Sequence, residues 1–136
     1  MKKLLALTLC FVGALCVLAA CSGNDGEVPA DTDGFQIIDA QTAKQMMNEH
    51  PNAVILDVRS EEEFREGHIP GALLIPDTNL AQRAEEELPD KDAVILIYCR
   101  SGNRSITASH ILVDMGYSRV YEFGGIQDWP FEIVTP

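Results

Sequence analysis

Residues 93–105 read AVILIYCRSGNRS and decide the fold of this chain. The first six are apolar or aromatic, which is typical of a strand buried on both faces of a parallel sheet. Apolar residues with helical spacing follow, and they predict a helix that begins near Ser105 and ends at Gly116. The connecting loop therefore leaves the carboxyl end of a strand and enters the amino end of a helix. Cys99 opens this loop and Arg104 closes it.

The loop carries the residue types that favour a cysteine thiolate, the nucleophilic form of the side chain. A thiolate is favoured at a helix N-terminus and beside arginine. The backbone N–H groups of residues 100–104 can point inward as a nest, and the helix near Ser105 adds its positive end. A cysteine that only packs is the alternative, but such a residue usually has apolar neighbours. We therefore predict a nucleophilic Cys99 in an anion-binding loop made of Arg100, Ser101, Gly102, Asn103, Arg104 and Ser105.

The rest of the chain alternates short apolar runs with helical patterns, which predicts an α/β domain with a parallel sheet. Helices are expected around residues 43–47, over 60–67, where Ser60 and Glu63 form a capping-box pattern, and over 80–87. The run before Cys99 is the most apolar and should be the central strand. Strands are expected at residues 35–38, 53–57, 72–75, 93–98 and 119–123.

The amino terminus has the features of an export signal. Two lysines precede an apolar stretch over residues 4–20, which ends in Leu-Ala-Ala before Cys21. Small residues before a cleavage point are typical of secretory signals, and the cysteine that follows resembles a bacterial lipoprotein signal. An uncleaved anchor is the alternative, but this stretch would reach only about 25 Å as a helix, short of the ~30 Å hydrocarbon core. We expect removal of residues 1–20, lipidation of Cys21 and a polar tether over residues 21–33.

This processing would place the protein in the bacterial cell envelope. Ser22 after the anchor resembles sorting to the outer membrane, facing the periplasm, if the cell is Gram-negative. Cys10 and Cys16 would leave with the signal, so Cys99 would be the free thiol of the mature chain. A single thiol supports neither a disulfide framework nor a reaction that needs a resolving cysteine.

The charge balance excludes one class of partner. The chain has 21 acidic and 10 basic residues, for a formal net charge of −11, and loss of the two signal lysines would make it about −13. Such a surface does not suit nucleic acid, whose phosphates need basic side chains.

Three scattered histidines and one cysteine do not form a metal site. We expect a monomer without metal or organic cofactor, in contact with membrane only through its lipid anchor.

Three motifs resemble the rhodanese-type sulfurtransferases. The Cys-x4-Arg loop is similar to their six-residue active-site loop. A second signature matches DVRS at residues 57–60, Glu63-Phe64 and GHIPGA at residues 67–72, and the family's ending matches Gly124-Gly125 with Trp129. The resemblance implies a single rhodanese-like α/β domain over residues 34–136, with a five-stranded, mainly parallel sheet and helices on both faces.

The resemblance also implies an activity. A small anionic donor such as thiosulfate would give its outer sulfur to Cys99 as a persulfide, and a thiol or cyanide would accept it. Arg100 and Arg104 would attract the donor. Asp57 and Arg59 would support the site through an ion pair or hydrogen bonds, while His68 would belong to a structural turn. Mercaptopyruvate is the less expected donor, because the loop departs from the Cys-Gly-x-Gly-x-Arg pattern that accompanies its use.

Two other functions remain as alternatives. Phosphatases and arsenate reductases use a Cys-x5-Arg loop that is shaped for a tetrahedral oxyanion. The spacing from Cys99 to Arg104 is one residue shorter and favours a single sulfur atom. A tethered persulfide carrier or binding module without turnover is the third function, and the sequence leaves it open.

Overall fold

Strands and helices alternate over residues 34–136, the part of the chain that the computed structural model describes. The predicted signal segment, Cys21 and the tether lie outside these residues. In chain order the elements are β1 (Gln36–Ile37), α1 (Ala40–Glu49), β2 (Val54–Asp57), α2 (Glu61–Glu66), β3 (Leu73–Leu74), α3 (Leu80–Glu87), β4 (Ile95–Cys99), α4 (Asn103–Asp114) and β5 (Val120–Gly125). Short 3-10 turns occupy Asp77–Asn79 and Ile126–Asp128.

The five strands form one parallel sheet in the order β1-β5-β4-β2-β3. The α/β prediction with a five-stranded parallel sheet is therefore confirmed. β4 lies at the centre, as predicted, and all of its residues are buried. Because parallel strands all end at the same edge, the carboxyl ends of β2, β4 and β5 lie close together, where sites of such sheets are usually found.

Apolar side chains cover both faces of the sheet. On one face Ile95, Ile97 and Cys99 of β4 belong to the same buried cluster as residues of α3 and α4. On the other face Leu96 and Tyr98 pack in a second cluster with Ala43 of α1 and with Trp129. Alternate strand residues point to opposite faces, so the side chains of Cys99 and Tyr98 lie on opposite sides of the sheet.

The element ends differ slightly from the sequence prediction, as helix and strand ends commonly do. The main difference is α4, which begins at Asn103, two residues before the predicted start near Ser105. Gly102 has a φ of 104°, a left-handed conformation that glycine adopts without strain, so the chain can turn directly into the helix. The predicted capping box at Ser60 is present, and α2 ends at Gly67 as expected.

None of the helices in residues 34–136 combines the length and apolar character needed to cross a membrane.

Candidate active site

Cys99 ends β4 with its side chain buried, only 1% exposed. The backbone N–H of Gly102 donates to Sγ at 3.0 Å, and Oγ of Ser105 lies 3.3 Å from the same sulfur. Gly102 is also the N-cap of α4, so the N–H group and the positive end of the helix both face the sulfur. Such an arrangement stabilises a negative charge on Sγ.

A second glycine allows the loop to close. Gly125, at the end of β5, packs directly beneath the loop backbone. A Cβ atom at this position would collide with the carbonyl group of Arg100 and would lie 2.6 Å from Cα of Ser101. Gly125 is therefore a packing requirement of the loop. Arg100 and Ser101 are exposed at the rim of the loop.

Arg104 closes the loop by binding α2. Its Nη1 and Nη2 atoms donate to the two carboxylate oxygens of Glu63 at 2.8 and 2.7 Å. The Arg104 bonds, with the cap hydrogen bonds from Ser60, lower the pKa of Glu63 to about 2 despite some desolvation. The same bonds are the main cause that raises the pKa of Arg104, to which the charge of Cys99 also contributes. The guanidinium thus ties the loop to α2 while remaining within electrostatic reach of the sulfur.

Ser105 connects the sulfur to a buried carboxyl group on β5. Its Oγ atom lies 2.6 Å from Oε1 of Glu122, and the N–H of Gly124 donates to the same oxygen at 2.7 Å. Ser105 is 0% exposed and Glu122 is 2% exposed. Burial raises the pKa of Glu122, and the hydrogen bonds from Ser105 and Gly124 only partly offset this effect. A titratable group therefore lies one hydroxyl away from the candidate nucleophile.

Asp57 and Arg59 form a buried ion pair, 2.7 Å between Oδ2 and Nη2. Tyr98 donates its hydroxyl to the same carboxylate at 2.6 Å and accepts the N–H of Ile69, while Arg59 also donates to the carbonyl of Gly67. Burial and the charge of Asp57 raise the pKa of Tyr98. This network lies on the face of the sheet opposite Cys99. It is connected to the loop through Tyr98, the chain neighbour of Cys99, and through Gly67 at the end of α2, the helix that carries Glu63.

The histidine of the GHIPGA motif takes part in local packing. The ring of His68 stacks on Phe64 with 3.6 Å between ring centroids, and its Nδ1 lies 2.9 Å from the carbonyl oxygen of Phe64. Its backbone pairs with Val134 in an isolated bridge. These contacts hold the turn that follows α2 against the carboxyl-terminal segment.

In residues 34–136 no group of three or more His, Cys, Asp or Glu side chains could hold a metal ion. A cavity of about 300 Å³ is lined by residues that include His50, Asp90 and Arg119. These residues precede β2, β4 and β5, so this cavity opens at the edge of the sheet opposite Cys99.

Of the predicted loop residues, the structure places Gly102 and Ser105 against the sulfur, while Arg100, Ser101 and Asn103 are exposed. It also adds two residues that the sequence analysis does not identify as part of the site. Glu63 belongs to the predicted capping box and to the second signature, and neither pattern indicates its contact with Arg104. Glu122 is a charged residue within the otherwise apolar or aromatic run of residues 120–123. Such an interruption is the signal that could have identified it, because a charge in a buried strand needs a specific partner.

Comparison with known proteins identifies a family for this chain. Residues 39–131 match the family model described as the rhodanese-like domain. Thiosulfate sulfurtransferase PspE of Escherichia coli is 37% identical over 73 residues, covering 54% of this chain and 70% of that protein. A protein from Allochromatium vinosum that is named sulfurtransferase is 38% identical over 93 residues. The match covers 68% of this chain and 85% of the Allochromatium protein.

Solved structures show the same fold. A rhodanese from E. coli, determined with anions, is 33% identical, with a TM-score of 0.59 and coverage of 62% of this chain and 99% of that one. The Alr3790 protein of Anabaena is 29% identical, with a TM-score of 0.68 and coverage of 73% and 82%. The chain therefore belongs to the family of rhodanese-like domains, and its named relatives include sulfurtransferases.

Proposed function

We propose that this protein is a sulfurtransferase that moves a sulfane sulfur from thiosulfate to a thiol or cyanide through a persulfide on Cys99. The observation that carries the proposal is the position of Sγ, which faces the Gly102 N–H and the positive end of α4 at the carboxyl edge of the sheet. The names of the sulfurtransferase relatives support the reaction class.

The reaction consists of two displacements at sulfur. The Cys99 thiolate attacks the outer sulfur of thiosulfate, so a new S–S bond forms while the old one breaks and sulfite leaves with its electron pair. The Gly102 N–H and the end of α4 stabilise the charge of the persulfide. The acceptor then attacks the outer sulfur of the persulfide and releases the Cys99 thiolate. Covalent catalysis of this kind gives ping-pong kinetics.

The two arginines of the loop have different roles in this proposal. Both Nη atoms of Arg104 already donate to Glu63, so Arg104 connects the loop to α2 and fixes its conformation. Arg100 is exposed beside the nucleophile and is the cation available to attract an anionic donor. The sulfonate end of thiosulfate would remain at this rim while its outer sulfur enters the loop.

The burial of Cys99 favours sulfur transfer over phosphate hydrolysis. A phosphoryl group must place three oxygens around the attacking sulfur, whereas a sulfur donor inserts one atom. With Cys99 only 1% exposed, the loop closes tightly around Sγ. The spacing from Cys99 to Arg104 is one residue shorter than in the Cys-x5-Arg loop of phosphatases, which agrees with this interpretation.

The test is sulfur transfer from a donor panel to cyanide, with thiosulfate and 3-mercaptopyruvate as donors and a phosphate monoester as a separate substrate. We expect thiocyanate from thiosulfate with ping-pong kinetics, and none with Cys99→Ser, whose circular dichroism should match that of the unaltered protein. Phosphate release that depends on Cys99 would favour the phosphatase function. A persulfide that forms without turnover to any acceptor would favour the carrier function.

We also propose that the protein is a lipoprotein of the bacterial cell envelope. The Leu-Ala-Ala-Cys21 sequence supports it, and one acyl-modified residue with its diacylglycerol would supply the anchor. Cys21→Ala should move the protein out of the membrane fraction and leave its sulfur transfer from soluble donors unchanged. A variant that stays in the membrane after a carbonate wash would instead indicate an uncleaved anchor.

A further inference from the structure

Three buried polar groups form a chain from the nucleophile to β5. Sγ of Cys99 lies 3.3 Å from Oγ of Ser105, which lies 2.6 Å from Oε1 of Glu122. The three residues are 1%, 0% and 2% exposed, so the chain is enclosed by protein. Neither the thiosulfate reaction nor the packing of α4 on the sheet requires a carboxyl group at this position.

The Ser105 hydroxyl has one proton to donate, and it also lies 3.0 and 3.4 Å from the carbonyl oxygens of Gly102 and Gly124. Two of its arrangements connect the sulfur with Glu122. When Glu122 is ionised, Ser105 donates to the carboxylate and its oxygen is free to accept the S–H of Cys99. When Glu122 is protonated, the carboxyl group donates to Ser105, whose proton then points at the Cys99 thiolate. The two arrangements differ by one proton that has moved from Sγ to Oε1 through Oγ, and the electron pair stays on the sulfur.

We propose that Glu122 is a positioning residue of the sulfurtransferase site and receives the Cys99 proton through the Ser105 hydroxyl when the thiolate forms. The inference rests on the proposed function, because it supplies the proton acceptor for the nucleophile of that reaction. The proton stays on Glu122 while the sulfur carries the charge of the thiolate or persulfide. It returns to Sγ when the acceptor has taken the sulfur and the thiolate has been released.

The proposal follows from the cost of charge in an enclosed site. Two adjacent buried anions repel each other and lack water, whereas a single negative charge shared by the pair avoids that cost. Burial raises the pKa of Glu122, so the carboxyl group can hold a proton at a higher pH than an exposed one. Gly124 donates to Oε1 in either arrangement and keeps the carboxyl group in place.

The other charged groups near this site lie around Arg104 or at the rim of the loop. On α4, Arg104 is paired with Glu63 of α2, whose pKa of about 2 keeps that ion pair charged across the neutral range. Asp77, in the 3-10 turn before α3, is close enough to Arg104 to contribute to its raised pKa. Arg100 is exposed at the rim.

His110, farther along α4, packs edge-on against Phe35. The strands beside β5 present no charged side chain at this level, since Gln36, Ile37 and residues 95–99 are uncharged.

The test is the rate of Cys99 alkylation by iodoacetamide as a function of pH, measured on the full-length protein without a sulfur donor. Two coupled groups lose their protons in two macroscopic steps, so the rate for the unaltered protein should rise in two steps. Glu122→Gln keeps the size of the side chain and an oxygen that can accept from Ser105 and Gly124, but it cannot take a proton. Its profile should rise in a single step.

Ser105→Ala removes the connecting hydroxyl and should lower the alkylation rate near pH 7 about 10- to 100-fold, the scale of a lost hydrogen bond to a charged group. The double variant should lose little more than Ser105→Ala alone, because the two residues act as one unit. Ser109→Ala is the matched control, since this buried serine lies one turn later on α4 and donates to the Ser105 carbonyl at 2.8 Å. It should retain both steps.

An unchanged profile in Glu122→Gln would overturn the proposal, as would an unchanged alkylation rate near pH 7 in Ser105→Ala. The outcome is separable from that of the proposed function, because alkylation uses no sulfur donor. Two steps without sulfur transfer would support the proton acceptor and refute the reaction. Sulfur transfer by an unaltered protein whose alkylation rate rises in a single step would support the reaction and refute the role of Glu122 as proton acceptor.

Discussion

Glu63→Gln tests whether the ion pair with Arg104 holds the catalytic loop. The pKa of Glu63 falls from 4.5 to about 2, which corresponds to about 3 kcal/mol if the whole shift contributes to stability. The Ser60 cap bonds account for part of that shift, and water screens a pair whose side chains are 34% and 22% exposed. We therefore expect the variant to lose about 1–2 kcal/mol of unfolding free energy.

The effect should depend on pH in a defined direction. The pKa of Glu63 is lower in the folded protein, so the pair contributes fully above the unfolded value near 4.5 and its contribution disappears as the pH falls towards 2. Urea unfolding at pH 7 should separate the variant from the unaltered protein, and the difference should shrink at pH 3. Sulfur transfer at pH 7 should fall about 10-fold, because the loop loses its tie to α2.

Glu61→Gln is the matched control on the same helix. Glu61 pairs with Arg65 across one turn, but both side chains are about 70% exposed, so its loss should cost less than about 0.5 kcal/mol. Equal stability losses in the two variants, or normal sulfur transfer in Glu63→Gln, would refute the role given to the Glu63–Arg104 pair.

Two further predictions concern the loop. Arg104→Lys keeps the charge but loses the planar fork, so sulfur transfer should fall nearly as far as in Arg104→Ala, ~10–1000-fold; near-normal turnover would show that only charge matters. Gly125→Ala places a methyl group against the Arg100 carbonyl, so it should cost about 1–3 kcal/mol of stability in urea and slow alkylation of Cys99. Unchanged alkylation in this variant would show that the loop tolerates displacement.

The strands and the loop could be predicted because their signals are local. The apolar run before Cys99 is long enough to mark the central strand, and Gly102 and the arginines mark the turn into α4. The capping box at Ser60 gave the start of α2 for the same reason. The start of α4 was placed two residues late because the left-handed conformation of Gly102 ends the loop early.

The two acidic partners of the loop could not be assigned from sequence, because they come from distant strands and helices. Glu63 meets Arg104, 41 positions further along the chain, and Glu122 meets Ser105 only because β5 lies beside β4. No periodicity records which charged residue faces which loop. Asp57 and Arg59 were correctly expected to form an ion pair, but only the alternation of β4 side chains shows that their network lies on the opposite face from Cys99.

The persulfide itself is the most direct test of the account. The full-length protein is incubated with thiosulfate, freed of excess donor and measured by intact mass spectrometry. Peptide mapping follows, under conditions that preserve persulfides. We expect a mass increase of one sulfur atom, located on the peptide that contains Cys99 and removed by cyanide, and no increase in Cys99→Ser. An unaltered mass after exposure to thiosulfate, or an added sulfur that persists in Cys99→Ser, would contradict the account.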